Sequence, residues 1–209
     1  MILDLHTHRP APYPEGIISL PYPFDGMEAG QLYSVGIHPW ATADENGGDI
    51  TEETWRILEE TAKRPEVAAI GECGVDLLKG GPLFRQLLVF KRQVEIAERV
   101  GKPMVLHCVK ATDIILGLKR DLQPGQQWAI HGFRGKPAQA LQLTDKGILL
   151  SFGEKFNAET LREMPDGMIL AETDESILTI EEIIGGMNEA AGRDLTEAMR
   201  YNTAEFLRS

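Results

Sequence analysis

Seven residues with side chains that could bind a metal lie at the ends of apolar, strand-like runs in this chain of 209 residues. They are His6, His8, His38, Glu72, His107, His131 and Asp174. Neutral imidazoles and carboxylates are the nitrogen and oxygen ligands of divalent transition metals. Strand ends that point at one rim bring together residues that are far apart in the sequence. The pattern therefore indicates one site, assembled from many strands, that holds a metal.

His6 and His8 are only two residues apart, within the run MILDLHTH. Successive side chains of a strand point to opposite faces, so residues two apart point to the same face. Taken alone, this pair is also compatible with two structural histidines. The pair becomes stronger evidence for a metal site because a carboxylate, two more histidines and an aspartate follow at the ends of later strand candidates.

Apolar, β-branched runs alternate with amphipathic stretches along the chain, with a period of roughly 25–35 residues. We predict eight strands, at residues 2–7, 16–20, 32–37, 67–72, 103–107, 127–131, 147–152 and 168–173. We predict helices near residues 52–63, 83–100, 112–121, 137–145, 158–163, 179–191 and 195–207. The helix at 83–100 is the clearest, because apolar residues recur at three- and four-residue steps until Gly101 stops it.

Strands that alternate with helices predict right-handed crossovers and a parallel sheet. Eight of them predict an α/β protein with a compact TIM (β/α)8 barrel, in a single domain over residues 1–209. Only about two dozen residues separate His8 from the third strand, so we expect an abbreviated first crossover without a full helix. The active site of such a barrel lies at the C-terminal face of the strands, where the candidate ligands fall.

The net charge of −11 argues against a broad basic surface for duplex DNA, because phosphate neutralisation supplies most non-specific affinity. It is compatible with a small phosphodiester substrate, since bound divalent cations invert the local field of a site. No internal apolar stretch reaches the roughly 18 residues that would predict a membrane span, and the first residues lack the basic region of a signal peptide. We interpret Cys73 and Cys108 as buried thiols rather than a disulfide, and we expect a cytoplasmic protein.

Seven motifs, spread in order over nearly the whole chain, carry a resemblance to a known family. They are HTH at 6–8, VGIHP at 35–39, GECGVD at 71–76, LHCVKA at 106–111, HGFRG at 131–135, ETD at 172–174 and NTAEFL at 202–207. The chain resembles the TatD-related metal-dependent hydrolases, a branch of the amidohydrolase-like barrels. The resemblance implies a deoxyribonuclease or a related phosphodiesterase that depends on divalent metal ions.

The resemblance also implies a set of six metal ligands in which Glu72 bridges two ions. The six are His6, His8, Glu72, His107, His131 and Asp174. It places His6, His8 and Asp174 on one side of Glu72, and His107 and His131 on the other. Six ligands are too many for one tetrahedral ion with an open position, and they suit two divalent ions, such as Mg²⁺, Mn²⁺ or Zn²⁺.

Two carboxylates have candidate catalytic roles, and a third has a candidate supporting role. We expect Asp174 to orient or deprotonate a metal-bound water, while Glu72 bridges the ions. Glu172 lies two residues before Asp174 on the same strand candidate and faces the same way. It either supports a ligand histidine or forms an internal salt bridge.

The sequence leaves two roles open for each residue that could bind the substrate. His38 either contacts a substrate phosphate or holds a loop by a hydrogen bond. Lys110 and Arg134 each stand three residues after a ligand histidine, and are either phosphate contacts or solvated rim charges. Trp40 we interpret as core or rim packing.

Several positions depart from the family pattern on the side of the substrate. Members often carry Arg where this chain has Val109, an aromatic residue where it has Leu77, and a Pro-Tyr pair after the ETD aspartate, where it has Glu175 and Ser176. The first hypothesis is a hydrolase of phosphodiesters in DNA ends or small nucleotides, with no extended duplex binding and no membrane partner. The alternatives are hydrolysis of an amide or ester on the same metal site, and a non-enzymatic barrel that keeps metal for stability.

Overall fold

The computed structural model describes residues 3–43 and 50–208. Its eight strands form a closed barrel in which each strand pairs in parallel with the next, and the last pairs with the first. The strands are β1 Asp4–Thr7, β2 Gly16–Pro21, β3 Leu32–Gly36, β4 Val67–Asp76, β5 Met104–Val109, β6 Trp128–Ile130, β7 Ile148–Phe152 and β8 Ile169–Ala171. The predicted (β/α)8 barrel is confirmed, and every predicted strand overlaps the strand that forms.

Helices follow the strands from β3 onward. They are α1 Glu52–Ala62, α2 Leu83–Val100, α3 Thr112–Leu122, α4 Pro137–Thr144, α5 Ala158–Glu163, α6 Ile180–Ala191 and α7 Thr196–Phe206. The connections at residues 8–15 and 22–31 contain no helix, so the abbreviated first crossover is confirmed and the second crossover lacks a helix as well. None of the helices in the described ranges is long and apolar enough to cross a membrane.

One small apolar cluster takes a residue from seven of the eight strands and closes with Phe206 of α7. Its members are Leu5, Ile17, Ala69, Val105, Ala129, Leu149, Leu170 and Phe206. A cluster with this membership can only occupy the interior of the barrel. Side chains two residues further along a strand point the same way. His107, His131 and Glu172 stand in this relation to Val105, Ala129 and Leu170, so the interior packing aims them at the C-terminal end of the barrel.

Helix α2 connects the barrel to the segments that carry the site. It ends at Gly101, whose φ of 68° is left-handed and whose N–H bonds to the carbonyl of Ala97. Two glutamines on its buried face pair with backbone in place of apolar packing. The Gln93 carboxamide accepts from the N–H of Ile37 at 2.7 Å and donates to the Ile37 carbonyl at 3.0 Å. Gln86 pairs in the same way with Asp76, at 2.8 and 2.9 Å.

We expect Gln93→Leu to destabilise the protein by about 2 kcal/mol, because it leaves the buried N–H and carbonyl of Ile37 without partners. Urea unfolding measures the change. Glu95→Leu, on the exposed side of the same helix, is the control and should stay within about 0.5 kcal/mol of the parent. Equal unfolding free energies for the two variants would mean that the Gln93 bonds contribute nothing to stability.

Candidate metal centre

The C-terminal end of the barrel gathers the predicted ligands around the carboxylate of Glu72. Glu72 lies in β4 and is only 8% exposed. The other residues come from different strands or from the turns directly after them: His6, His8, His38, His107, His131 and Asp174. Because parallel strands all end at the same rim, residues up to 168 positions apart in sequence meet here.

One oxygen of Glu72 faces three imidazoles. Its Oε1 lies 2.6 Å from His107 Nδ1, 2.8 Å from His131 Nε2 and 3.1 Å from His38 Nε2. His38 is therefore part of this group, although the set of six ligands that the resemblance implies leaves it out. The ligand atoms of His38, Glu72 and His107 all lie within 4.8 Å of one another, which is close enough to share one ion.

The second oxygen of Glu72 faces the other group. Its Oε2 lies 3.4 Å from His6 Nε2 and 3.8 Å from His8 Nε2. Asp174 Oδ1 lies 3.9 Å from His6 Nε2 and 3.7 Å from His8 Nε2. His6, His8 and Asp174 can also share one ion. The two oxygens of Glu72 thus face different imidazoles, with His38 beside His107 and His131 on the first oxygen. His131 is within reach of both sides, because the ligand atoms of His6, Glu72 and His131 also lie within 4.8 Å of one another.

The donor set fits metal ions. His6 is fully buried, yet neither of its ring nitrogens has a hydrogen-bond partner in the described structure. Burial alone would raise the pKa of Glu72, but the neighbouring His131, His107 and His38 outweigh it and hold that pKa far below its usual range. Burial lowers the pKa of His8, which favours the neutral ring that binds metals. A buried anion surrounded by imidazoles is an environment that divalent cations would satisfy.

Glu172 lies behind the group that contains His131. Its Oε1 accepts a hydrogen bond from the N–H of Gly132 at 2.6 Å and lies 3.5 Å from His131 Nδ1. Within the described ranges Glu172 has no ion pair with Lys or Arg, so of the two roles left open by the sequence the geometry favours support of a histidine.

Asp76 is a residue of the site that the sequence interpretation missed. Its Oδ2 accepts from His107 Nε2 at 3.1 Å and from Trp40 Nε1 at 2.7 Å. Its Oδ1 accepts from the N–H groups of Leu78 and Lys79 at 2.8 and 3.0 Å. Burial would raise the pKa of Asp76, but these bonds outweigh it and lower that pKa. The available signal was the motif GECGVD itself, because β4 continues past Glu72 to its last residue.

A cavity of about 570 Å³ opens beside the two groups of ligands. His8, His38, Glu72 and Asp174 are among the residues on its polar side. Its apolar side comes from the end of β2 and the segment after β3, and includes Leu20, Pro21, Tyr22, Ile37, Trp40, Ala41 and Ile50. Trp40, interpreted from the sequence as packing, is 46% exposed and lies on this wall.

The two predicted phosphate-binding cations lie outside the cavity. Lys110 and Arg134 are both exposed, and neither lines the cavity. Lys110 takes a left-handed backbone conformation with φ of 54°. No Lys or Arg is present among the described residues that line the cavity, so positive charge at this site has to come from bound ions or protonated histidines.

Comparisons with known proteins agree with this geometry. The family model described as TatD related DNase matches residues 27–191. An uncharacterized metal-dependent hydrolase, YabD of Bacillus subtilis, is 30% identical over 165 residues, which cover 75% of this chain and 63% of that protein. The 3'-5' ssDNA/RNA exonuclease TatD of Erwinia billingiae is 30% identical over 156 residues, covering 69% and 58%. The chain thus spans somewhat less than two thirds of these relatives.

Solved structures show the same fold. The Escherichia coli TatD homologue YjjV superimposes with a TM-score of 0.80 at 18% identity, covering 100% of this chain and 98% of that one. A TatD family hydrolase of Entamoeba histolytica gives a TM-score of 0.77 at 14% identity, covering 97% and 95%. The family model matches most of this chain, and the ligand groups assemble at the barrel rim. The chain therefore belongs to the TatD-related family of metal-dependent hydrolases.

Proposed function

We propose that this protein hydrolyses phosphodiester bonds in nucleic-acid ends or small nucleotides, with two divalent metal ions bound at Glu72. The observation that carries the proposal is the division of ligands between the two oxygens of Glu72, with His107 and His131 on one and His6 and His8 on the other. Two ions in these positions would supply a nucleophilic water and stabilise the attacking and leaving oxygens. The donor set is rich in imidazole, which favours Zn²⁺ over Mg²⁺.

Asp174 is the carboxylate best placed to hold or accept the proton of the attacking water. It lines the cavity, and 27% of its side chain is exposed. Glu72 is buried among imidazoles that hold its pKa far below the usual range, so it is a weak base. We therefore assign proton transfer to Asp174 and the bridging role to Glu72.

The cavity is consistent with a substrate that inserts one of its own ends into the site. Its volume suits a group about the size of a nucleotide, and its apolar wall, with Trp40 and Tyr22, offers rings against which a base can pack. We assign His38 a phosphate contact, because it lines the cavity and its Nε2 lies 3.1 Å from Glu72 Oε1. Lys110 and Arg134 are exposed outside the cavity, so we limit them to contacts with a phosphate beyond it.

Hydrolysis of an amide or ester on the same site is the second candidate. The absence of Lys and Arg from the described lining of the cavity favours it, since a phosphate gains no side-chain cation there. For either substrate we also propose a cytoplasmic location, which the free thiols of Cys73 and Cys108 support.

We expect chelator-treated protein to be inactive, and Zn²⁺ or Mn²⁺ to restore cleavage of a single-stranded oligonucleotide. The reason is that the cavity lining supplies no other positive charge to a phosphate. Product analysis by gel, beside a panel of acyl esters and amides with the same metals, tests the choice of bond. Turnover of the panel without any phosphodiester cleavage would replace the first candidate with the second.

We expect elemental analysis to find two ions per chain. Glu72→Gln should weaken the binding of both, because each oxygen of Glu72 faces one group of ligands. His131→Ala should weaken mainly one, because the contact of His131 Nε2 with Glu72 is made to Oε1, at 2.8 Å. Circular dichroism checks that each variant is folded. A single ion whose affinity is unchanged by His131→Ala would contradict a binuclear site.

We expect Asp174→Asn to lower kcat by about 10²–10⁴-fold, the usual contribution of general acid–base assistance. The amide keeps the size of the side chain but loses its charge and basicity. Metal content is measured in the same samples, because Asp174 also lies near His6 and His8. Near-full activity with both ions bound would assign the proton transfer to another group.

A further inference from the structure

We propose that Asp76 is a positioning residue that fixes the tautomer of His107, so that His107 turns an unprotonated Nδ1 toward Glu72. The two ring nitrogens of His107 lie between two carboxylates, with Nδ1 2.6 Å from Glu72 Oε1 and Nε2 3.1 Å from Asp76 Oδ2. This inference rests on the metal-dependent function proposed above, because a free Nδ1 lone pair is what an ion would use.

The hydrogen-bonding capacity of the two partners decides the tautomer. A neutral imidazole has one N–H and one lone pair, and an ionised carboxylate only accepts. With a divalent ion bound on the Nδ1 side, the hydrogen of His107 would be on Nε2, where Asp76 is the acceptor placed to receive it. The lone pair of Nδ1 would then face the side of Glu72 Oε1, which is a second acceptor. A cation held by both groups would stabilise this tautomer over the one that hydrogen-bonds Nδ1 to Glu72.

Asp76 is itself held rigidly. Its side chain is 3% exposed, and both of its oxygens are engaged. Oδ1 accepts from the N–H groups of Leu78 and Lys79, which is the usual role of an aspartate in a turn. That role does not account for Oδ2, which accepts from His107 and from the indole N–H of Trp40. The contacts of Oδ2 are the ones that bear on the metal centre.

The same oxygen of Asp76 also ties the metal centre to the cavity wall. Trp40 lines the cavity, and its ring packs edge-on against His38, with centroids 4.7 Å apart. The Nζ of Lys79 lies 4.3 Å from the centre of the Trp40 ring. Asp76 therefore fixes a metal-side histidine and a substrate-side aromatic ring at once.

Glu172 provides an internal comparison. It stands behind His131 as Asp76 stands behind His107, but His131 Nδ1 lies 3.5 Å from it and makes no hydrogen bond within the described structure. Of these two histidines, only His107 has the ring nitrogen that faces away from Glu72 hydrogen-bonded to a carboxylate. We therefore expect tautomer control at His107 in particular.

Asp76→Asn separates the two roles of Asp76. An amide oxygen turned toward Leu78 and Lys79 preserves both turn bonds and leaves only the Trp40 N–H without an acceptor. The opposite orientation leaves two backbone N–H groups unpaired, so the first is favoured. The amide N–H then faces His107 Nε2, which must accept. His107 moves its hydrogen to Nδ1 and loses the lone pair that faces Glu72.

The experiment is calorimetric titration of the metal-free protein with Zn²⁺. We expect Asp76→Asn to lower the affinity for one ion by about 10–100-fold and to leave the other unchanged. Trp40→Phe is the matched control: it removes the second donor to Oδ2 without changing the tautomer, and both affinities should stay within about threefold.

A double-mutant cycle with His107→Ala excludes a general structural effect. If Asp76 acts through His107, Asp76→Asn should cause no further loss of Zn²⁺ affinity in the His107→Ala background. Equal losses in both backgrounds, or two ions bound with parental affinity in Asp76→Asn, would overturn the proposal. A parent protein that binds two ions but cleaves no phosphodiester refutes the proposed function alone, whereas one that binds no ion refutes both.

Discussion

The buried carboxylate of Glu72 is the constraint on which the rest of the site depends. Removing a charged group from water costs several kcal/mol unless oppositely charged or hydrogen-bonding partners surround it. No single segment of chain can provide enough such partners around one point. The closed barrel can, because six of its eight strand ends contribute one or two polar side chains to the same rim. The imidazoles of His6, His107 and His131, from three different strands, are placed against Glu72 in this way.

The rigidity of the site comes from polar contacts one layer further out. Gln86 and Gln93 of α2 each satisfy both backbone groups of one residue, Asp76 and Ile37, at the ends of neighbouring strands. The segment that follows Ile37 carries His38. Helix α2 thus fixes two parts of the site without contacting a ligand. Buried polar networks of this kind favour one conformation over its alternatives when every member is paired.

The barrel was predictable because its strands and helices have strong and distinct periodicities, and α2 has the bounds that its apolar spacing predicts. The convergence of the candidate ligands was predictable because strand ends of a parallel barrel share one rim. The role of Asp76 was not predicted, although the motif GECGVD contains it, because its partner Trp40 is 36 residues away and is placed by a short turn that His38 caps. The orientation of Lys110 was also not predictable from the sequence. Its left-handed backbone depends on local geometry and not on its distance from His107 along the chain.

The charges around the centre bear on how an acidic protein could act on the anion that the proposed function requires. Four carboxylates surround the ligand groups, from Glu72, Asp76, Glu172 and Asp174, and in charge they equal two divalent ions of opposite sign. Two divalent ions bound among these carboxylates would bring the region close to neutral and would let it accept a phosphate. On the proposed function, a substrate anion would be held by direct coordination and by the apolar wall beside Trp40, and not by a field of Lys and Arg side chains. Such a site would recognise a single phosphodiester at the end of a chain, and it would gain little from the charges further along a polymer.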